Sequence, residues 1–178
     1  MLEANNELEL KELLESTIEK DFIVLKEVKG FNQVENRAVR IDYICKARQN
    51  IVDIGFTNNY FGIEVKHIND DSKKWRHLLV QSITYSMSVF YVEKQVFRPD
   101  FVLVFSNTDK FNTSLDTVLA SYFNVGILQR RNEYDFEKNK SYYNGEYAIK
   151  FSTQVYYESK VGIKNKNCAL NRYCGTWT

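Results

Sequence analysis

A chain of 178 residues with 44% hydrophobic and 26% charged residues lies in the range of an ordinary globular domain, and its twelve Phe and twelve Tyr can fill one core without a disulfide or metal staple. A net charge of +1 gives no overall attraction to a polyanion, and the three cysteines, Cys45, Cys168 and Cys174, form an odd set without paired zinc spacing, which argues for reduced thiols. Residues 1–14 lack the parts of a signal peptide and no stretch is apolar for long enough to cross a bilayer, so one cytoplasmic domain over residues 1–178, with no membrane partner, is expected.

Leu10, Leu13, Leu14, Ile18 and Phe22 recur at helical spacing with acids between them, which predicts an amphipathic helix over residues 7–22. Residues 23–28 and 38–45 read as strands around a turn at Gly30-Phe31-Asn32, and residues 51–56 and 60–68 as two more around Thr57-Asn58-Asn59. Residues 75–94 contain no Gly or Pro and place Leu79, Ile83, Met87 and Phe90 at helical intervals, so a second long helix is expected, closed by Pro99. The apolar run 101–105 predicts a strand covered on both faces, followed by a helix over residues 114–123 capped by Thr113 or Ser114 and a short strand at 125–128. The polar stretch 132–144 reads as a loop, 147–158 as one further strand, and 159–178 as a basic, flexible tail. The fold class expected from this order is mixed α/β, with helices packed on a central mixed sheet.

Charge is unevenly placed along the chain. Residues 1–27 carry Glu3, Glu7, Glu9, Glu12, Glu15, Glu19, Asp21 and Glu27 against three lysines, whereas residues 138–178 carry Lys138, Lys140, Lys150, Lys160, Lys164, Lys166 and Arg172 against two glutamates. A basic end of this kind could hold a phosphate backbone, although a solvated lysine-rich surface is the commoner explanation.

Chemistry concentrates at Asp42, within Arg40-Ile41-Asp42-Tyr43-Ile44, and at Glu64-Val65-Lys66 on a later strand. Alternation along a strand puts Glu64 and Lys66 on one face. If the Asp42 strand lies alongside, two carboxylates and an ammonium converge, and gathering such groups demands a compensating partner. An oxygen-rich site of this kind suits Mg²⁺ or Mn²⁺ better than zinc. Further along, Gln81 and Tyr85 stand four apart on one helical face. Glu27-Val28-Lys29 and Glu158-Ser159-Lys160 also match E-x-K, and Pro99-Asp100 has no E-x-K at a plausible distance after it.

An acidic helix, an Asp, an E-x-K strand and a helix with Q-x-x-x-Y, in that order, resemble the PD-(D/E)xK nuclease superfamily, in particular its RecB-like and lambda-exonuclease-like branch. The resemblance covers residues 7–85 and implies a restriction-endonuclease-like core and Mg²⁺- or Mn²⁺-dependent hydrolysis of DNA. It implies Asp42, Glu64 and the Val65 carbonyl as metal ligands and Lys66 at the attacking water. An auxiliary acid would come from the first helix, with Glu15 the best match ahead of Glu12 and Glu19, and Gln81 and Tyr85 would position the strand. Some members hold an iron–sulfur cluster on four cysteines, a set that three cysteines cannot complete, so no cluster is expected.

The alternative for these residues is structural: Asp42 paired with Arg37 or Arg40, and Glu64 with Lys66 as an exposed charge set. His67 and His77 lack a second histidine at ligand spacing, while Trp75, Arg76, Lys73 and Lys74 stand where DNA would approach. No Gly-rich phosphate loop, G-x-S-x-G elbow or H-E-x-x-H is present, which leaves phosphodiester hydrolysis as the preferred chemistry and a catalytically inactive DNA- or protein-binding module, such as an inhibitor or regulator, as the alternative. A homo-oligomer is compatible with either, and the Asn-, Lys- and Tyr-rich composition points to an AT-rich genome such as that of a phage or other mobile element.

Overall fold

The computed structural model describes residues 4–68, 71–109, 114–135, 140–152 and 154–164. The chain is mixed α/β, with one large mixed sheet flanked by helices on both faces. Helix α1 (Glu7–Ile18) starts at Asn6, whose side chain accepts from the Glu9 amide at 3.0 Å, an N-cap of the expected kind. Leu10, Leu14 and Ile18 lie buried on its inner face.

Strands β1 (Phe22–Asn32) and β2 (Arg37–Ala47) form a long hairpin, followed by the short helix α2 (Gln49–Asp53) and strand β3 (Tyr60–Lys66). β2 pairs antiparallel with β3, and the ladder runs from Lys46↔Tyr60 to Tyr43↔Ile63. Helix α3 (Ser72–Ser86) leads to the hairpin of β4 (Val89–Val92) and β5 (Gln95–Phe97), which adds to the free edge of β1. The chain then returns to β6 (Val102–Ser106), parallel to β3, and crosses through α4 (Leu115–Ser121) to β7 (Val125–Asp135), parallel to β6. Strands β8 (Lys140–Phe151), β9 (Gln154–Glu158) and β10 (Gly162–Ile163) complete the order β10-β9-β8-β7-β6-β3-β2-β1-β4-β5.

One core lies under α1, where Phe22, Phe56, Phe61, Phe101, Tyr147 and Tyr157 pack edge to face or tilted, except that Phe61 stacks on Phe101. On the opposite face, α3 and α4 cover Val104, Val125 and Ile127 with Trp75, Leu78, Leu79 and Ala120, and a third cluster joins Tyr85 to Ile41, Ile44, Phe90 and Val102.

Several expectations need correction. Residues 51–56 are not a strand: α2 occupies residues 49–53, and Ile51 and Phe56 are apolar because they close the core from a turn. The helix expected over 75–94 ends at Ser86, where Ser88 bonds back to the Thr84 carbonyl at 2.7 Å and the Val- and aromatic-rich continuation pairs as a hairpin instead. Residues 30–32 extend β1 rather than turning. The polar stretch 132–144 is largely strand, since β7 runs to Asp135 and β8 begins at Lys140. Residues 147–158 are split by a break at Ser152, whose φ is +56°. Ser114, one of the two caps expected, caps α4, while Thr113 lies outside the described residues, as does most of the basic tail, from residue 165 onward. No helix among the described residues is long and apolar enough to cross a membrane.

Candidate active site

The β2–β3 ladder stops at Tyr43↔Ile63, and beyond that pair a side chain takes over from the backbone. Asp42 Oδ2 accepts from the Val65 amide at 2.8 Å, and Glu64 Oε2 accepts from the Asp42 amide at 3.2 Å. The N–H and C=O of one residue in an extended strand point to the same side, so the Val65 carbonyl faces the gap as well. β1 is kinked at this level: Glu27 takes φ +53° between the pairs Lys26↔Tyr43 and Val28↔Ile41, a conformation that is unfavourable for a residue with a side chain.

Glu64 is 7% exposed. Burial first, then the Asp42 carboxylate, pushes its pKa up to about 8, and the Asp42 amide, Lys11 and Lys66 offset this only in part. Gly62 makes room beneath the pair, because a Cβ there would stand 2.5 Å from Ile41 Cδ1 and 3.3 Å from Val102 Cγ2.

Helix α1 supplies charges that the sequence pattern did not single out. Lys11 Nζ donates to Asp42 Oδ1 at 2.5 Å and lies 3.5 Å from Glu27. Burial works against its charge, but the hydrogen bond and charge of Asp42, then Glu27 and Glu7, outweigh it and raise its pKa. Glu7 binds Lys66 at 2.7 Å. Glu15, the expected first-helix acid, accepts from the Tyr43 hydroxyl at 2.8 Å and pairs with Lys26 at 2.6 Å. With Lys11, Glu12, Glu27 and Asp42 it lines a cavity of about 330 Å³. Burial and the charge of Glu15 push the Tyr43 phenol up. Glu19 is exposed and offers its backbone carbonyl to Arg48 Nε at 3.0 Å. A signal for the missed residues existed: positions 7, 11 and 15 share one stripe of the helix.

Gln81 and Tyr85 do meet. Gln81 Nε2 donates to the Tyr85 hydroxyl at 2.6 Å, and that hydroxyl donates to the Arg40 carbonyl at 2.8 Å, two residues before Asp42. Burial first, then the charge of Glu64, pushes the Tyr85 phenol up to about 12. Both residues, with Glu35, Arg37, Arg40 and His77, line a second cavity of about 280 Å³.

The other singled-out residues have structural settings. Asp100 holds Thr57 at 2.6 Å and Asn59 at 3.1 Å, at the opposite end of β3 from Lys66. Trp75 is buried against Leu78 and Leu79 instead of facing solvent, and Arg76 pairs with Asp116 at 2.7 Å. His67 meets the Ala4 carbonyl at 3.1 Å. Cys45 is a buried free thiol whose pKa burial raises, while Cys168 and Cys174 lie outside the described residues.

Compared with known proteins, the chain matches no family model, no curated protein and no solved structure. The reading of the site therefore rests on its own chemistry. Among the described residues no three His, Cys, Asp or Glu side chains gather as a metal-holding group; the oxygen donors at the gap are those of Asp42, Glu64 and the Val65 carbonyl. Such a hard, sparse oxygen set fits Mg²⁺ or Mn²⁺, and the ammonium already seated on Asp42 marks the position as one that takes positive charge.

Proposed function

We propose that the protein is a Mg²⁺- or Mn²⁺-dependent nuclease of the PD-(D/E)xK kind, on a restriction-endonuclease-like core, acting on DNA in the cytoplasm. The observation that carries this reading is the convergence of Asp42 with the buried Glu64 where the β2–β3 ladder ends, with Lys66 two residues further along the same strand. Two neighbouring carboxylates, one of them deeply buried, need a cation to be ionised together. Asp42, Glu64 and the Val65 carbonyl would hold it. A bound divalent ion supplies polarisation of a phosphodiester and a lowered pKa for an attacking water.

The chain's own groups do the rest. Lys66, released from Glu7, orients the water and balances charge growing on the phosphate. Glu15 is an auxiliary acid in the wall that it shares with Asp42. Gln81 and Tyr85 act by holding the Arg40 carbonyl, and with it the strand that carries Asp42. A phage or other mobile element as source, and a homo-oligomer, belong to the same proposal. The test is cleavage of linear duplex DNA in Mg²⁺ or Mn²⁺ that stops in EDTA and in Asp42→Ala.

A second reading, an inactive binding module that acts as inhibitor or regulator, draws on one observation. Lys11 and Glu7 already meet the charges of Asp42 and Lys66 from α1. Protein that binds DNA with equal affinity in Mg²⁺ and EDTA and cuts nothing would favour it.

A further inference from the structure

Sheet register links Glu64 to a lysine on the far side of the central strands. Glu64 pairs with Val104, Val104 with Ile127, and Ile127 with Lys150, so the four stand in one row across β3, β6, β7 and β8 and share a face. Three strand spacings put Lys150 about 14 Å from Glu64. α3 and α4 cover the two middle positions, where Val104 and Ile127 are buried. Past them opens a cavity of about 320 Å³ lined by Gln129, Arg130, Arg131, Lys150 and Asp109.

Three of those five residues are cationic, in a protein whose net charge is only +1. Lys150 is half-buried and has no carboxylate within ion-pair distance among the described residues. Burial, then the Arg131 guanidinium, presses its pKa down, and Asp109 offsets this only in part. Arg131 is tied to Glu158, while Arg130 donates to the Asn107 carbonyl at 3.4 Å. Asn107 also accepts, through its side chain, from the Ile68 amide at 2.7 Å, two residues beyond Lys66. The rim that carries the E-x-K lysine therefore continues through Asn107 to the basic cavity.

Three cations lining one polar cleft, of which Arg131 alone is paired with a carboxylate among the described residues, are suited to an anion with several acceptor oxygens. We propose that the cleft formed by Arg130, Arg131 and Lys150 is a backbone-phosphate subsite that grips the nucleic-acid strand about 14 Å away from the Asp42–Glu64 pair. The inference deepens the nuclease reading and rests on it for the identity of the ligand. The subsite positions the substrate and takes no part in bond breaking.

The test is fluorescence anisotropy of a labelled 12-nucleotide single strand in EDTA over a salt series, with wild type, Arg130→Gln, Lys150→Gln, Lys150→Arg and Lys94→Gln. Lys94 lies exposed at the β4–β5 turn, so its variant controls for net charge. Lys150→Gln and Arg130→Gln are each expected to weaken binding about tenfold, with the slope of log affinity against log salt shallower by about 0.7. Lys150→Arg and Lys94→Gln should behave as wild type.

Cleavage of the same strand in Mn²⁺ separates the two ideas. Wild-type affinity and slope in both neutralising variants, in a protein that cuts, would overturn the subsite and leave the nuclease reading standing. Variant-sensitive binding in a protein that cuts nothing would uphold the subsite and overturn the nuclease. Wild-type protein that neither binds nor cuts would overturn both.

Discussion

Replacing Glu64 by Gln keeps the side-chain shape and an oxygen to accept from the Asp42 amide, but removes a buried ionisable carboxyl. The pKa of Glu64 is raised to about 8 in the folded chain from an ordinary 4.5. Below pH 4.5 the residue is protonated whether folded or unfolded, so the substitution changes little. Between 4.5 and 8 the unfolded chain releases a proton that the folded chain retains, and wild type loses about 1.4 kcal/mol per pH unit. The accumulated difference is about 3 kcal/mol at pH 7 and approaches about 5 kcal/mol above pH 8, and these are upper figures because Asp42 shares the charge. Glu64→Gln should therefore be more stable than wild type at pH 7, by about 10 °C in melting temperature for a domain of this size. Urea unfolding in EDTA at pH 4.5, 7 and 8.5, with both proteins side by side, measures it. A stability difference that stays the same at all three pH values would refute the reasoning, because no carboxyl with a raised pKa would then lie behind it.

Lys11→Ala takes the ammonium from Asp42 and should lower metal-free stability by about 1–2 kcal/mol while tightening Mn²⁺ binding severalfold in calorimetry. Tyr85→Phe deletes the hydroxyl between Gln81 and the Arg40 carbonyl, for an expected loss of about 1–2 kcal/mol in urea unfolding, with cleavage reduced as the Asp42 strand loosens. Gly62→Ala forces a methyl against Ile41 and Val102, and should cost about 1–3 kcal/mol and impair Mn²⁺ binding through displacement of the neighbouring Asp42.

The parts of the fold legible in the sequence were those in which periodicity and composition agree. α1 and β2 bury a face whose period is visible along the chain, and β3 and β6 are largely apolar runs buried on both faces. The site's frame was legible for a similar reason: Asp42, Glu64 and Lys66 lie on strands whose alternation fixes their direction, and Gln81 and Tyr85 on a helix that places them together. Residues 89–97 misled because Val89, Phe90 and Val92 continue an apolar pattern while sheet pairing to β1, a long-range contact, decides their conformation. The β7–β8 ribbon was hidden by polar residues, whose backbone pairing leaves no hydrophobic signature. Lys11 and Glu7 share a helical stripe with Glu15, but what gives them a role is the distance from α1 to the end of β2 and β3, which that stripe alone does not encode. Glu27 stands in the sequence only as one of the further E-x-K matches, yet the backbone kink at that residue stands level with Asp42.

The most direct measurement of the central claim compares wild type with Lys66→Ala, purified in parallel, on circular single-stranded and linear duplex DNA in Mn²⁺ and in EDTA. Cleavage by wild type in Mn²⁺ alone, absent in Lys66→Ala although that variant folds and still binds Mn²⁺, is the predicted result. Equal cleavage by the two proteins, or none by wild type on either substrate, would contradict the assignment of Asp42, Glu64 and Lys66 as a phosphodiester-hydrolysing site.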